Sequence, residues 1–397
     1  MPPRPFPFPR ASRLDLEPEY RLLQQQEPVC RVAFPYGEEA WLVTRHGDVR
    51  TVLSDARFSR AISLRRDVPR VTEENFSGGI VAMDPPEHTR VRSVCQRAFT
   101  PRTVARLRER AAAIATELVK DALTAKYFDG VEDFAVQYTL KMICELLGVS
   151  YDDRDRFRYW AEAGLATTAI SDDERVRATG HMWEFVSELV AQRRRSPRDD
   201  LISSMAMTQA ETRTVSNDEL VIVVMTILVA GFETTATQLP NFMYVLLEVP
   251  ARFQSLVADP AVIPSAVEEL MRYVPLEANG ASPRYATEDV VLSGTVVAAG
   301  SPVVAATVVA NRDPDVFADP DRLDFARDPN PHLGFGIGPH FCLGAPLARL
   351  ELQVALEVLV AAVPGLRLTP EESGIEWKAG MVVRGPSKLL LKAAGST

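Results

Sequence analysis

Cysteine is scarce in this sequence and never clustered. Its four cysteines, Cys30, Cys95, Cys144 and Cys342, are scattered over 397 residues with no C-x-x-C spacing, which excludes a disulfide framework and a zinc ribbon. Lysine is nearly absent too, at six of 44 basic residues. No apolar run reaches the roughly 18 residues of a membrane span. The longest, Leu220 to Gly231, is interrupted by Thr226 and stops at Phe232-Glu233. No leader pattern opens the chain, so a soluble protein of a reducing, cytoplasmic compartment is expected. Positive charge is in deficit: a net charge of −9 excludes a general nucleic-acid binder.

What is present is a large apolar fraction, 46% of residues, enough for a sizeable core. No internal repeat or linker divides the chain, so residues 1–397 are expected to form one domain behind a Pro-rich N-terminal segment, 1–15. Helical periodicity dominates, with long amphipathic stretches over Thr103 to Thr124, Glu132 to Leu147 and Glu174 to Arg195. Short β-branched runs at Trp41 to Thr44 and Val290 to Val304 read as strands. Ser63 to Gly79 has no clear period and reads as a long loop, a kind of segment that is often functional. The expected fold class is mainly α with a small β region (α+β).

Four constellations carry chemistry. In the first, Gly334-Phe335-Gly336-Ile337-Gly338-Pro339-His340-Phe341-Cys342-Leu343-Gly344, glycines break regular structure just before a mostly apolar helix from Ala345 to Val360. A cysteine at a helix N-terminus is favoured as a thiolate, hence as a metal ligand or nucleophile. In the second, Ser216 and Glu219 form a capping box opening a helix that can run to about Pro250, roughly 50 Å at the α-helical rise. Inside it lies Ala230-Gly231-Phe232-Glu233-Thr234-Thr235, where a carboxylate closing an apolar run needs a hydrogen-bond partner. Pro240, further along, is expected to kink or break the helix. In the third, Glu269 and Arg272 share a helix face. In the fourth, Asp84-Pro85-Pro86-Glu87-His88 leads to Arg92, four residues on from His88.

These patterns together resemble the cytochrome P-450 superfamily, the haem-thiolate monooxygenases, over roughly residues 35 to 386. Phe335, Gly338, His340, Cys342 and Gly344 match F-x-x-G-x-H-x-C-x-G. Residues 230–235 match A-G-x-[DE]-T-[ST], Glu269 and Arg272 match E-x-x-R, and residues 84–92 match D-P-P-x-H-x-x-x-R. The resemblance extends to the actinomycete natural-product and macrolide-tailoring branch through Pro35 to Thr44 and Val383 to Pro386.

The resemblance implies a P-450 fold in which haem b (iron protoporphyrin IX) lies between the long central helix and the helix after the cysteine loop. Cys342 is then the axial iron ligand, whose electron donation favours O–O cleavage. Phe335, Gly344 and Ala230 adjoin the haem. His88, Arg92, Arg284 and His340 hold its propionates, for which arginine has suitable geometry. Gly231 leaves room beside the haem, while Thr234 and Glu233 relay protons to bound dioxygen. Glu269 and Arg272 join Arg322 in a structural network. His46, His181 and His332 show no metal-ligand spacing, so no second metal site is expected.

Electrons are expected from NAD(P)H through ferredoxin reductase and ferredoxin, the ferredoxin docking on the Cys342 side near Arg90, Arg97, Arg102 and Arg106. A monomer is expected, with neither nucleic acid nor membrane as partner. The implied activity is hydroxylation or epoxidation of a large, moderately apolar secondary metabolite such as a polyketide macrolide. Phe76, Leu165, Ile170, Asn279, Met381 and Val382 are the expected substrate contacts. One alternative is oxidative coupling of an aromatic cyclodipeptide or phenolic substrate by the same haem. A peroxide-using enzyme is disfavoured by the intact acid–alcohol pair. A non-catalytic haem sensor is the alternative from another class.

Overall fold

Hydrophobic segments too apolar for a surface find their partners in two compact units of this computed structural model. Each unit is assembled from separate stretches of chain: Met1–Arg92 with Met271–Asp324 and Asp328–Cys342, and Ser93–Leu270 with Phe325–Arg327 and Leu343–Thr397. The structure describes residues 2–9, 13–75, 78–98, 101–277, 282–369 and 375–393, with only the backbone at 97–98 and 101–104.

The first unit is built on a six-stranded sheet, in the order Arg4–Pro5, Val29–Ala33, Ala40–Val43, Pro302–Ala305, Arg284–Ala286 and Phe58–Ser59. Two pairings are parallel, 4–5 with 32–33 and 41–43 with 303–305; the other three are antiparallel. The β-branched run from Val290 to Val304 resolves into three strands: a hairpin of Val290–Leu292 with Thr295–Val297, then Pro302–Ala305 in the main sheet. Val43, Val49, Val52, Val303 and Ala305 fill one core beside the sheet. The Pro-rich start is an edge strand, a place where proline is tolerated because its ladder position needs no N–H. Phe6 and Phe8, buried in edge-to-face contact, anchor it.

The second unit is helical. Its axis is Asn217–Glu248, opened by the expected capping box: the Glu219 amide donates to Ser216 Oγ and the Ser216 amide to the Glu219 carboxylate. Pro240 does not break it. The helix is continuous because Leu239, Asn241 and Phe242 are fully buried around the proline, and Asn241 Nδ2 donates to the Arg384 carbonyl at 2.8 Å. By length and composition this helix is long and apolar enough to cross a membrane, but 61% of its apolar 18-residue window is buried inside the fold, as a core helix would be. Arg154–Leu165, Gln137–Leu147 and Asp172–Arg195 pack around it. The helix expected from Glu132 begins instead as a π-helical segment, Gly130–Val136, which leads into Gln137–Leu147. Ala345–Ala362 lies along Pro101–Ala122, its Leu347, Leu352, Leu356 and Leu359 buried. A second small sheet orders Arg367–Leu368, Pro386–Lys392 and Ile375–Trp377, with Phe128–Asp129 also on the middle strand. Helices predominate over small sheets, as the sequence predicts.

Candidate active site

The cysteine loop owes its shape to two glycines. Gly336 and Gly338 hold φ of 68° and 77°, in the left-handed region. At Gly338 a Cβ would lie 2.7 Å from Ser54 Cα and 2.8 Å from the Leu53 carbonyl oxygen, so no other residue fits. The turn closes with the Cys342 amide donating to the Phe335 carbonyl at 2.9 Å, with Phe335 buried and Cys342 exposed. Helix Ala345–Ala362 follows, with Gly344 as its N-cap residue. The other cysteines are buried, and burial pushes the thiols of Cys30 and Cys144 up to about 11 and 12. None of the four is in a disulfide. Cys342 alone of the four is exposed.

Beside this loop the first unit gathers two histidines and two arginines. The His88 and His340 rings lie 4.2 Å apart, and His340 Nε2 is 3.0 Å from the Met83 carbonyl. Arg92 donates to the Phe341 carbonyl at 2.6 Å and Arg284 to the Val52 carbonyl at 2.6 Å. Burial pushes His340 down to about 3, helped by the charges of Arg60, His88 and Arg284. Burial and then Arg60 push Arg284 down to about 9. His88 is also lowered, by burial and then by Arg92. The guanidinium groups of Arg60, Arg92 and Arg284 outnumber the Asp84 carboxylate among them, which suits the pocket to an anion. The structure thus brings together all four residues expected at the propionates, and adds Arg60.

In the second unit, Thr234 Oγ1 donates to the Ala230 carbonyl one turn earlier, at 2.6 Å. Glu233 is 1% exposed and ion-paired to Lys378, whose Nζ also donates to Thr237 Oγ1 at 2.8 Å. Thr237 Oγ1 donates to Glu233 Oε1 at 3.2 Å, closing a buried triad. Gly231 faces Ile143, whose Cδ1 would lie 3.0 Å from an added Cβ. The triad borders a cavity of about 320 Å³ whose lining includes Glu132, Arg158, Ile170, Trp377 and Met381. Arg158 is held between Glu132 and Glu162.

Two of the four described residues expected at the substrate, Ile170 and Met381, line this cavity. The other two join its walls, the Val382 amide donating to the Leu165 carbonyl at 2.8 Å. The Gly380 carbonyl accepts the amides of Thr167, Thr168 and Ala169, at 2.7, 3.1 and 3.2 Å. Phe76 and Asn279 lie outside the described residues. No motif marks Lys378. Its one sequence signal is a lysine directly after the apolar Trp377, in a chain with six.

The expected structural network needs one correction. The guanidinium on Glu269 is that of Arg327, with Nε 3.1 and 3.2 Å from the two carboxylate oxygens, where the resemblance implies Arg322. Arg322 contributes its carbonyl, 3.1 Å from Arg272 Nη2, and the Pro320 and Asn311 carbonyls accept from Arg272 Nη1. The physical reason is the turn at Asp319, which has φ of 45° and accepts the Arg322 amide on its carbonyl. That turn presents backbone oxygens to Arg272. Of the arginines expected at the donor surface, Arg106 faces Asp199 at 3.2 Å, and the side chains of Arg97 and Arg102 lie outside the described residues.

The cytochrome P-450 family model matches residues 171–362. The chain is 48% identical over 388 residues to mycinamicin IV hydroxylase/epoxidase of Micromonospora griseorubida, covering 98% of both chains. It is 46% identical to nocardicin C N-oxygenase of Nocardia uniformis subsp. tsuyamanensis, covering 97% of this chain and 98% of that one. A solved structure of a mutant of the mixed-function P-450 MycG, in complex with mycinamicin V, superposes with a TM-score of 0.90 at 49% identity, covering 98% of this chain and all of that one. The chain belongs to the cytochrome P-450 family, and it is a monooxygenase of small molecules that uses dioxygen and haem. The residues present fit that cofactor: an exposed cysteine on a fixed turn, and beside it an arginine-rich pocket suited to an anion.

Proposed function

We propose that this monooxygenase hydroxylates or epoxidises a large, moderately apolar secondary metabolite of the macrolide class. The observation that carries this reading is the 48% identity to mycinamicin IV hydroxylase/epoxidase across 98% of both chains. The mixed walls of the 320 Å³ cavity, apolar with a few charges, agree with it.

Cys342 would be the iron ligand, its thiolate favoured by the first-turn amides of Ala345–Ala362. His88, Arg92, Arg284 and His340 would hold the haem carboxylates. Thiolate-ligated haem supplies oxygen activation when bound. The chain's own part is to place substrate and to move protons. The Thr234 hydroxyl, held on the Ala230 carbonyl, can accept a proton and pass one on. Glu233, fixed by Lys378 and Thr237, would take up protons and hand them on from the residue next to it. Electrons would come from NAD(P)H through a ferredoxin reductase and ferredoxin in the cytoplasm, to a monomeric enzyme.

The test is a panel of macrolides added to the ferric enzyme, with spin-state shifts and product masses recorded. A macrolide that shifts the spectrum and gains one oxygen is the expected result; a panel in which only phenolic or aromatic cyclodipeptide compounds bind would overturn the substrate class. Thr234→Ala should still bind the same compound but divert NAD(P)H to peroxide. Unchanged coupling in that variant would remove Thr234 from proton delivery.

A further inference from the structure

The pocket beside the cysteine loop contains a cation to which the resemblance assigns no role, Arg60. We propose that Arg60 is a fifth residue binding the carboxylates of the haem, an inference that rests on the reading of this pocket as the haem site.

Arg60 directly follows edge strand Phe58–Ser59, which pairs antiparallel with the strand that begins at Arg284. Phe58 lies opposite Ala286 and Ser59 opposite Tyr285. Continuing that register sets Arg60 across from Arg284, so the two guanidinium groups start from adjacent points on the sheet edge.

Its backbone is fixed by Asp84. One oxygen of that carboxylate accepts the Arg60 amide at 2.8 Å; the other accepts the Ala61 amide at 3.2 Å and the Ser59 hydroxyl. Asp84 is thus occupied in shaping the turn. The guanidinium points elsewhere, with Nη1 donating to the Ser282 carbonyl at 2.7 Å. Its Nε is shielded from solvent and has no hydrogen-bond partner. A charged donor held away from water with no acceptor is anomalous unless a ligand supplies one.

The surrounding charges say what that ligand is. Arg284, across the ladder, is lowered by burial and next by the charge of Arg60. The carboxylates that act on Arg60 are Asp84 and Glu277. Burial raises Glu277 to about 7, and it accepts from the Thr307 hydroxyl at 3.4 Å. An anion placed between Arg60 and Arg284 satisfies the open Nε–H and offsets the charge of both guanidinium groups. A guanidinium can meet a carboxylate with two parallel N–H bonds, so the arginine is suited to the task.

The test compares Arg60→Gln, Arg60→Lys and, as a reference for the pocket itself, Arg284→Gln. Each holoprotein is mixed with excess apomyoglobin and the rate of haem transfer is followed. Thermal unfolding of the haem-free proteins reports folding separately. Arg60→Gln is expected to lose haem roughly tenfold faster, the loss of about one charge-assisted bond, with Arg60→Lys in between. A second measurement uses haem dimethyl ester in place of haem. Because the ester has no carboxylate charge, wild type and Arg60→Gln should then release it at the same rate.

If Arg284→Gln hastens haem loss while Arg60→Gln does not, Arg60 has no part in binding and the proposal fails alone. If neither changes the rate, the reading of the pocket fails with it. If Arg60→Gln remains faster with the ester, the residue acts on protein packing and not on the carboxylates, which also overturns the proposal. If Arg60→Gln does not fold, the same two comparisons are made with Arg60→Lys.

Discussion

Without its amine, Lys378 would leave Glu233 as a buried carboxylate with the Thr237 hydroxyl in place of a countercharge. Breaking a buried pair from one side is costly, so Lys378→Met is expected to lower stability by about 3 kcal/mol in urea unfolding. Lys378→Met combined with Glu233→Gln should recover most of that, since no charge is then stranded. A single-variant loss well under that of ordinary core substitutions would mean the pair is not held as described. His340 makes a second residue-scale prediction through pH. Its folded value, about 3, lies below its usual 6.5 because of burial and the nearby cations. Between those values the unfolded chain takes up a proton that the folded one refuses. Stability is therefore full above about pH 6.5 and falls as pH drops toward 3. Haem-free protein should unfold more readily at pH 4.5 than at 7.5, and His340→Asn should flatten that slope. An unchanged slope would place the pH dependence elsewhere, with His88 the next group to examine.

Elements are legible in the sequence where their signals are local. The capping box at Ser216 shows in four consecutive residues, and the closely spaced glycines ahead of Cys342 are enough to announce a turn. Pro240 misleads as to a break, because burial on either side holds the helix continuous, which a single residue type does not reveal. Lys378 and Arg327 are hidden for a different reason. Their partners lie 145 and 58 residues away, and no period or spacing links a charge to a distant opposite one. The same distinction governs the cysteine turn. Gly338→Ala must both strain a φ of 77° and push against the Ser54 backbone. The variant should remain folded elsewhere by circular dichroism yet incorporate little haem. Normal haem content and a normal ferrous–CO band would show that the turn tolerates the extra methyl.

For the molecule as a whole, a net charge of −9 repels an acidic electron donor unless a local basic face counters it. Arg90, Arg97, Arg102 and Arg106 are the sequence's candidates, and Arg106 is already engaged with Asp199 in an exposed pair. Such a pair holds little energy, so it can open to a partner. First-electron transfer from an acidic ferredoxin is expected to slow as salt rises, and more steeply in wild type than in Arg97→Glu. Rates insensitive to both would move the docking face away from these arginines. The Gly380 carbonyl has a consequence of another kind. Because Thr167, Thr168 and Ala169 all donate their amides to this one oxygen, none of these bonds can be lost for good while the acceptor stays in place. Seen by deuterium exchange, the three amides share a single opening event and should show one common protection factor. That factor measures how often residues 167–169 leave Gly380, in the bend after strand Ile375–Trp377.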